Sequence, residues 1–158
     1  MSVLQLDAHT DLRPQYQGSP FNHACVMARI RERCPITQVG IRSMDISEKS
    51  YLDEKRVFFQ ERIIHSSKWM DHVMDTLHDE VYLTLDLDVL DPSIMPSTGT
   101  PEPGGMDWYT LLTLLRRVAV EKRIVGFDVV ELCPSPHNRA PDFLAAKLIY
   151  KILGYCYQ

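Results

Sequence analysis

The sequence predicts an α/β protein built on a mostly parallel sheet. Apolar segments typical of strands alternate along the chain with segments whose apolar residues recur at helical spacing. In such an alternation each helix crosses between two parallel strands, and ligands bind at the carboxyl ends of the strands. With 158 residues, 45% of them hydrophobic and 24% charged, the chain has the size and composition of one domain. We therefore expect a single domain over residues 1–158, with its functional groups at one end of the sheet.

Five segments have the character of strands. The strongest is Val81–Leu90, in which apolar residues alternate with polar ones. The segment Ile124–Leu132 is nearly all apolar, which is typical of a strand that is covered on both faces. Shorter candidates are Val3–Leu6, Thr37–Ile41 and Arg62–Ile64.

Four segments show the periodicity of amphipathic helices. The apolar residues of Trp69–Leu77 and of Leu111–Ala119 fall on one helical face, and Asp107 is a suitable N-cap for the second helix. Asp142–Leu153 is predicted to form a third helix, and His23–Arg33 a fourth. The apolar stripe of the third helix consists of Phe143, Leu144, Leu148, Ile149 and Ile152.

Acidic clusters follow two of the predicted strands. Asp7–Asp11, with the sequence Asp-Ala-His-Thr-Asp, follows the first strand, and Asp86 and Asp88 lie near the end of the strongest one. Residues two apart in extended backbone point to the same face, so Asp86 and Asp88 should converge. The same spacing applies to Asp7 and His9. Because both clusters end parallel strands, we expect four carboxylates and one imidazole in one cleft.

Such a group of side chains requires cations. Neighbouring carboxylates raise one another's pKa, and each loses solvation on burial, so they do not stay ionised and unpaired. Two divalent ions would balance four aspartates, and a ligand set dominated by carboxylate oxygen favours a hard ion such as Mn²⁺ over Zn²⁺. Two ions about 3.5 to 4 Å apart would bridge a water and present hydroxide at neutral pH. A single Asp-x-Asp pair would be weaker evidence, because such pairs are common in loops and caps.

Charge and cysteine usage argue against several other classes of protein. A net charge of −4 gives no electrostatic basis for binding nucleic acid or an anionic membrane, both of which require clustered Lys and Arg. The four cysteines form no Cys-x-x-Cys pair, and neither a signal peptide nor an apolar run of about 18 residues is present. A cytoplasmic location is the simplest expectation.

The motifs resemble those of the ureohydrolase family, which includes agmatinases and arginases. Leu6–Asp11 is similar to the family's Asp-Ala-His-x-Asp motif, and Leu85–Pro92 is similar to its second metal motif. Thr98–Gly105 resembles the loop of agmatinase-type members, and Gly126–Glu131 resembles the strand that carries the substrate glutamate. The resemblance implies an arginase-like, three-layer α-β-α fold with a mostly parallel sheet.

The resemblance also implies a dinuclear manganese hydrolase that cleaves a guanidino group to urea and an amine. Asp7 and Asp86 would bridge two Mn²⁺ ions. Asp11 would bind one of the ions, and His9 and Asp88 would bind the other. Asp88 is counted among the catalytic residues as well, because its loss is expected to abolish activity.

Two further residues receive catalytic roles from the resemblance. Glu131 would hold the planar guanidinium through paired hydrogen bonds and so direct the guanidino carbon towards the nucleophile. His23 would act as the proton shuttle for the departing amine, a task that suits the intrinsic pKa of histidine. Without the neighbouring motifs, His23 would be interpreted as a helix-entry histidine with no chemical role.

Agmatine, cleaved to putrescine and urea in polyamine biosynthesis, is the favoured substrate. Thr100–Pro103 is closer to agmatinase-like members, and Arg13 stands where arginases usually have an asparagine. Guanidinobutyrate, guanidinopropionate and formiminoglutamate remain alternatives. The resemblance further implies a homo-oligomer, a trimer or a hexamer, and a small guanidino compound as the ligand, with neither nucleic acid nor membrane as a partner.

The chain is expected to be N-terminally truncated relative to the family. Members usually have about twice this length and carry an upstream Gly-Gly-Asp-His segment whose histidine is the sixth metal ligand. We therefore expect weaker binding of one ion and an exposed apolar edge of the sheet. An inactive remnant or regulatory subunit that keeps the fold is the alternative to an active enzyme. A deacetylase of related fold is disfavoured, because its usual paired histidines are not seen.

Overall fold

Five parallel strands form the sheet, and the first strand of the chain lies at its centre. The computed structural model describes residues 1–66 and 68–157. The strands are β1 (Ser2–Leu6), β2 (Ile36–Ile41), β3 (Val57–Phe59), β4 (Glu80–Asp86) and β5 (Arg123–Val130). They lie side by side in the order β3-β2-β1-β4-β5, with every neighbouring pair parallel. After β1 the chain adds β2 and β3 on one side of it, and then β4 and β5 on the other side. The strand order therefore reverses between β1 and β4, which makes this junction a topological switch point.

The described part of the chain contains five α-helices, and three of them cover one face of the sheet. The helices are α1 (Val26–Ile30), α2 (Gln60–Ile63), α3 (Trp69–Thr76), α4 (Trp108–Glu121) and α5 (Ala140–Cys156). The apolar stripes of α3, α4 and α5 pack on the leucine and valine side chains of the central strands. The opposite face is covered by α1, whose Met27 belongs to a smaller cluster of buried residues with Val3, Leu12 and Ile36. Among the described residues, no helix has both the length and the apolar character needed to cross a membrane.

The main core lies between the sheet and the helices α3, α4 and α5. Leu4, Leu6, Leu83 and Leu85 of the two central strands are fully buried there. Complete burial of each such side chain contributes about 1.5 to 3 kcal/mol relative to exposure. The core therefore holds β1 and β4 together at the centre of the sheet.

The predicted strands and helices are largely confirmed where an apolar pattern coincides with burial. Val3–Leu6 and Thr37–Ile41 correspond to β1 and β2. The predicted helices Trp69–Leu77 and Leu111–Ala119 correspond to α3 and α4, and Asp107 caps α4 by accepting the N–H groups of residues 109 and 110 at 2.8 and 2.9 Å. Such an N-cap stabilises a helix by about 1 kcal/mol.

Three of the predicted elements differ from the structure. The predicted strand Arg62–Ile64 is wrong, because these residues end the helix α2 and the neighbouring strand is β3. Ile63 is buried as the last residue of this helix. A short run of apolar residues does not distinguish a buried helical turn from a strand. The predicted strand Val81–Leu90 ends at residue 86, where a 3-10 turn begins. His23–Arg33 contains a 3-10 turn followed by the short helix α1 rather than one continuous helix.

The edge strand β5 and the helix α5 expose apolar side chains. The prediction that Ile124–Leu132 is covered on both faces is wrong, since Val125 and Val130 are each 41% exposed. Phe143, expected in the buried stripe of α5, is 72% exposed, whereas Leu148 of the same stripe is fully buried. The expected apolar edge is therefore present, at β5, and the reason is that β5 has a neighbouring strand on one side only.

The helix α4 offers a matched test of the core. Leu114→Ala is expected to lower the free energy of unfolding by about 2 to 5 kcal/mol, because it removes a fully buried side chain between α4 and the sheet. Val120→Ala, on the same helix but 77% exposed, should change it by no more than about 0.5 kcal/mol. Urea denaturation of both variants measures the difference. Equal effects of the two substitutions would contradict the described core.

Candidate metal centre

The predicted acidic clusters meet at the switch point of the sheet. β1 and β4 are paired with Leu6 opposite Leu85, so Asp7 and Asp86 are the next residues of two neighbouring strands. Both lie at the carboxyl ends of the strands, the place where open parallel sheets bind their ligands. The fold therefore brings the two motifs together through the register of the central strand pair.

Each motif is shaped by a turn that its own first carboxylate closes. Asp7 Oδ1 accepts the backbone N–H of His9 at 2.6 Å, and Asp86 Oδ1 accepts the backbone N–H of Asp88 at 2.9 Å. Asp88 lies within the 3-10 turn Leu87–Val89. The expectation of extended backbone is therefore wrong for Asp86 and Asp88, because β4 ends at Asp86 and Asp88 lies in the 3-10 turn. His9 also lies beyond its strand, but its backbone forms an isolated parallel bridge with the chain just beyond β2. At both strand ends the first carboxylate closes an Asx-type turn that fixes the backbone of the second ligand residue.

Three of the predicted ligands come together closely. Asp7, His9 and Asp88 each offer one ligand atom, and these atoms all lie within 4.8 Å of one another. His9 Nδ1 is 3.0 Å from Asp88 Oδ2 and 3.5 Å from Asp7 Oδ1. The other oxygen of Asp88 accepts the backbone N–H of Ala8 at 3.0 Å, which ties the two motifs to each other. Asp7 and Asp88 are only 4% and 1% exposed, so this group lies at the floor of the site.

The remaining predicted residues line the same cleft but lie outside this group of three. The cleft has a volume of about 530 Å³. Asp86 is 8% exposed, whereas Asp11 is half-buried. The predicted residues that line the cleft are Asp7, His9, Asp11, His23, Asp86, Asp88 and Glu131.

Glu131 and His23 stand at the rim of the cleft. Glu131 follows β5 directly and has a φ of 66°, a left-handed conformation that is uncommon for a residue other than glycine. Asp11 has the same type of backbone, with a φ of 52°. Backbone of this kind concentrates at functional sites, where the surrounding structure imposes it. His23 is exposed, and its ring packs edge-on against Tyr16 with the ring centroids 5.7 Å apart.

The cleft strongly perturbs the ionisation of its carboxyl groups. Burial raises the pKa of Asp86 far above its usual range, and the nearby carboxylates of Asp7 and Asp88 raise it further. The pKa values of Asp7 and Asp11 are also raised, mainly by burial. Asp88 is the exception, because hydrogen bonds from His9 and from the backbone outweigh its burial and lower its pKa.

The shift in the pKa of His9 favours its charged form, whereas the shifts of Asp7, Asp11 and Asp86 favour their neutral forms. The hydrogen bonds of His9 to Asp7 and Asp88 raise the pKa of its imidazole to about 10. An imidazolium between two carboxylates compensates part of their charge, and the raised pKa values of the other aspartates reflect the negative charge that remains. This excess of carboxylates indicates a site suited to divalent cations.

Two side chains that the sequence analysis did not assign hold the loops of the site. Arg42 donates to the backbone carbonyls of Asp88 at 2.6 Å, Glu102 at 2.7 Å and Pro103 at 3.1 Å. It thereby joins the turn that contains Asp88 to the segment Thr98–Gly105, which resembles the agmatinase loop. The spacing of residues around Arg42 contains no signal for this role, because its partners are carbonyls from distant parts of the chain.

The buried carboxylate of Glu48 fixes the backbone of the first motif, Asp7–Asp11. Glu48 Oε1 accepts the hydroxyl of Thr10 and the backbone N–H of Leu12, both at 2.7 Å, and so fixes the residues on either side of Asp11. Its other oxygen accepts the backbone N–H of Asp45 at 2.7 Å, within a capping box. The Asp-x-x-Glu spacing of Asp45 and Glu48 is the sequence signal that could have indicated this turn.

The chain matches known proteins along almost its whole length. Residues 1–154 match the model of the Arginase family. An N(1)-aminopropylagmatine ureohydrolase of Synechocystis is 39% identical over 158 residues, which cover 98% of the chain and 52% of that protein. An agmatinase of Pyrococcus horikoshii is 34% identical over 155 residues, which cover 97% of the chain and 54% of that protein.

Similarity to solved structures gives the same picture. The crystal structure of the agmatine ureohydrolase of Thermoplasma volcanium superimposes with a TM-score of 0.84 at 32% sequence identity. The superposition covers 98% of the chain and 54% of that structure. The chain thus spans about half the length of the relatives that it matches.

Asp86 provides a test of the charge balance in the metal-free cleft. Its pKa is raised from the unfolded value of about 3.9 to about 10 in the folded chain, so its contribution to stability is complete below the unfolded pKa. That contribution falls progressively as the pH rises from the unfolded pKa to the folded pKa, and most of it is lost at pH 8. Asp86→Asn is therefore expected to raise the Tm of the metal-free chain at pH 8, by about 2 to 4 °C or more, and to have little effect near pH 4.

Thermal unfolding in the presence of a chelator measures this effect. Asp75→Asn, at an exposed position of α3, is the matched control and should leave Tm unchanged at both pH values. A fall in Tm of Asp86→Asn at pH 8 would contradict the described burial of mutually repelling carboxylates.

Proposed function

The chain belongs to the arginase family, and on that premise we propose that it hydrolyses a guanidino compound to urea and an amine at a dinuclear manganese centre. The observation that carries this proposal is the convergence of Asp7, His9 and Asp88 within 4.8 Å, in a cleft that Asp11 and Asp86 also line. Three buried or nearly buried carboxylates at a strand junction need positive charge to be stable in their ionised form. The chemistry of these donors fits a hard divalent ion.

The five predicted ligands divide naturally between two ions. His9 and Asp88 would hold one ion together with Asp7, and Asp11 would hold the second, with Asp7 and Asp86 shared between the two. Ions bound there would lower the pKa of a water and supply a nucleophile at neutral pH. Among the described residues that line the cleft, His9 and His23 are the only histidines, so the second ion would have fewer protein ligands than the first.

Glu131 is suited to hold the guanidino group of the substrate. β4 and β5 are paired with Asp86 opposite Val130, so Glu131 lies one residue beyond the neighbour of a proposed bridging ligand. Its carboxylate is exposed to the cleft and can accept two parallel N–H bonds from a planar guanidinium. Held in this way, the guanidino carbon would face the ions rather than bulk solvent.

His23 is suited to pass a proton to the departing amine. It is exposed at the rim and lines the same cleft as Glu131 and Asp88, so solvent can reprotonate it after each reaction. A histidine that faces both the cleft and solvent is the type of side chain that serves as a proton shuttle. Tyr16 limits the movement of its ring through their edge-on contact.

The charges around Arg13, which also lines the cleft, favour a substrate with a cationic tail. Arg13 lies 3.6 Å from Asp45 and 3.8 Å from Glu48, so the two carboxylates share one guanidinium and leave a net negative charge. Negative charge at this position favours the amine of agmatine over the carboxylate of guanidinobutyrate. N(1)-aminopropylagmatine, which names several similar relatives, also has a cationic tail and belongs in the same test.

An inactive remnant that keeps the fold is not favoured, because the proposed ligands and both catalytic candidates line one cleft. The direct test is to load the purified chain with Mn²⁺, count the bound metal per chain, and measure urea release. Two ions per chain and urea from agmatine are expected, with slower release from arginine and guanidinobutyrate. A chain that binds one ion or none and releases no urea from any of these compounds would overturn the proposal.

Two substitutions separate metal binding from substrate binding. Asp88→Ala should lower both the bound metal and the rate of urea release, the rate by more than about 100-fold, because it removes a ligand from a buried site. Glu131→Gln should keep the bound metal and lower kcat/KM about 10- to 100-fold, the value of one charge-assisted pair of hydrogen bonds. Asp75→Ala, at the exposed face of α3, is the control for both measurements. An Asp88→Ala variant with full activity would rule out the assignment of Asp88.

A further inference from the structure

Two buried glutamines lie side by side beneath the metal cleft. Gln5 of β1 and Gln38 of β2 are direct partners in the parallel register, and they are only 1% and 2% exposed. A buried side-chain amide destabilises a fold unless its donors and acceptors are satisfied, so two adjacent ones in the middle of a sheet require a reason. Their hydrogen bonds lead towards the proposed metal ligand Asp7.

The hydrogen bonds of the two amides form a chain with a fixed direction. Gln38 Nε2 donates to the backbone carbonyl of Thr10 at 2.8 Å and to Gln5 Oε1 at 2.6 Å. Gln5 Nε2 then donates to Asp7 Oδ2 at 2.7 Å. A carbonyl can only accept, so the Thr10 carbonyl requires the nitrogen of Gln38 on its side. Gln38 in turn presents a donor to Gln5, which leaves the nitrogen of Gln5 facing Asp7.

We propose that Gln5 is a positioning residue for Asp7, and that Gln38 sets the orientation of the Gln5 amide. This inference rests on the proposed function, in which Asp7 is a metal ligand. Asp7 Oδ1 accepts the backbone N–H of His9 and Asp7 Oδ2 accepts Gln5 Nε2, so a donor holds each carboxylate oxygen. The carboxylate is thereby fixed in one rotamer before an ion binds, and its remaining lone pairs stay available to the cleft.

The position of the network explains why glutamine is used there rather than an apolar residue. A β1 residue facing this side of the sheet could pack as Val3 does, in the cluster with Met27. Gln5 instead stands two residues before Asp7 on the same strand face and reaches it directly. A ligand whose orientation is fixed in advance loses less entropy on binding an ion, and such supporting contacts typically change metal affinity 10- to 100-fold.

Three variants test the inference in the full chain. Gln5→Met keeps the size of the side chain and removes the donor to Asp7, and it is expected to weaken Mn²⁺ binding about 10- to 100-fold. Gln38→Met should weaken binding less, because Gln5 keeps its donor but loses the partner that orients it. Thr37→Val is the matched control, since Thr37 is a fully buried polar residue of β2 whose hydroxyl contacts Thr76, away from the cleft, at 2.9 Å.

Calorimetric titration of the metal-free proteins with Mn²⁺ gives the affinities, and thermal unfolding gives their stabilities. A purely structural role for Gln5 would lower the Tm of Gln5→Met and Thr37→Val alike without a separate change in affinity. The proposal requires a loss of affinity that Thr37→Val does not share. Affinity of Gln5→Met within about twofold of the unmodified chain would overturn it while leaving the proposed function intact, whereas an unmodified chain that binds no Mn²⁺ would overturn both.

A crystal structure of the unmodified chain grown with Mn²⁺ decides the matter even if Gln5→Met does not fold. The proposal requires Gln5 Nε2 to remain within about 3.2 Å of an Asp7 oxygen while Asp7 contacts the ion. A separation of more than about 3.5 Å in the metal-bound protein would overturn it.

Discussion

The crowding of aspartates at the junction of β1 and β4 is the constraint on which the rest of the site depends. Asp7, Asp86 and Asp88 are 4%, 8% and 1% exposed and lie where two central strands end. Like charges at such close range are unfavourable unless protons, an imidazolium or metal ions balance them. The raised pKa values of Asp7 and Asp86 reflect the free energy needed to ionise them at this position. The large apolar core on one face of the sheet contributes stability that offsets this cost.

The side chains around this cluster act mainly by supplying N–H donors or by fixing loops. Backbone N–H groups donate to all three buried aspartates, and Gln5 adds a further donor to Asp7. Arg42 and Glu48 hold the two loops through backbone groups, so neither occupies a position that an ion would need. The left-handed backbone of Asp11 adds strain that the hydrogen bonds of Glu48 to the neighbouring residues must overcome. The site is therefore built from side chains that fix the positions of the carboxylates without neutralising all of their charge.

Much of the fold follows from the sequence, because the spacing of apolar residues in the central strands and helices agrees with their burial in the structure. β1, β2, α3 and α4 are predictable for this reason, and the motif spacing places Asp7 and Asp86 at strand ends. The pair Ile63 and Ile64 predicts a strand but ends a helix, since so short an apolar run fits a strand and a buried helical turn equally well. The turns that fix the backbone of His9 and Asp88 at the strand ends depend on hydrogen bonds, which residue spacing does not reveal. Gln5 and Gln38 were missed because a lone glutamine in an apolar strand has no pattern of its own.

The two halves of the proposed chemistry rest on parts of the sheet that differ in rigidity. The closest group of proposed ligands lies just beyond the ends of β1 and β4, whose leucines are fully buried and which have neighbouring strands on both sides. Glu131 instead follows β5, an edge strand on which Val125 and Val130 are each 41% exposed. Edge strands with few buried contacts open more readily than central ones. Metal binding should therefore be the more robust property of this chain, and the position of the guanidino group should depend more strongly on whatever contacts β5 and α5.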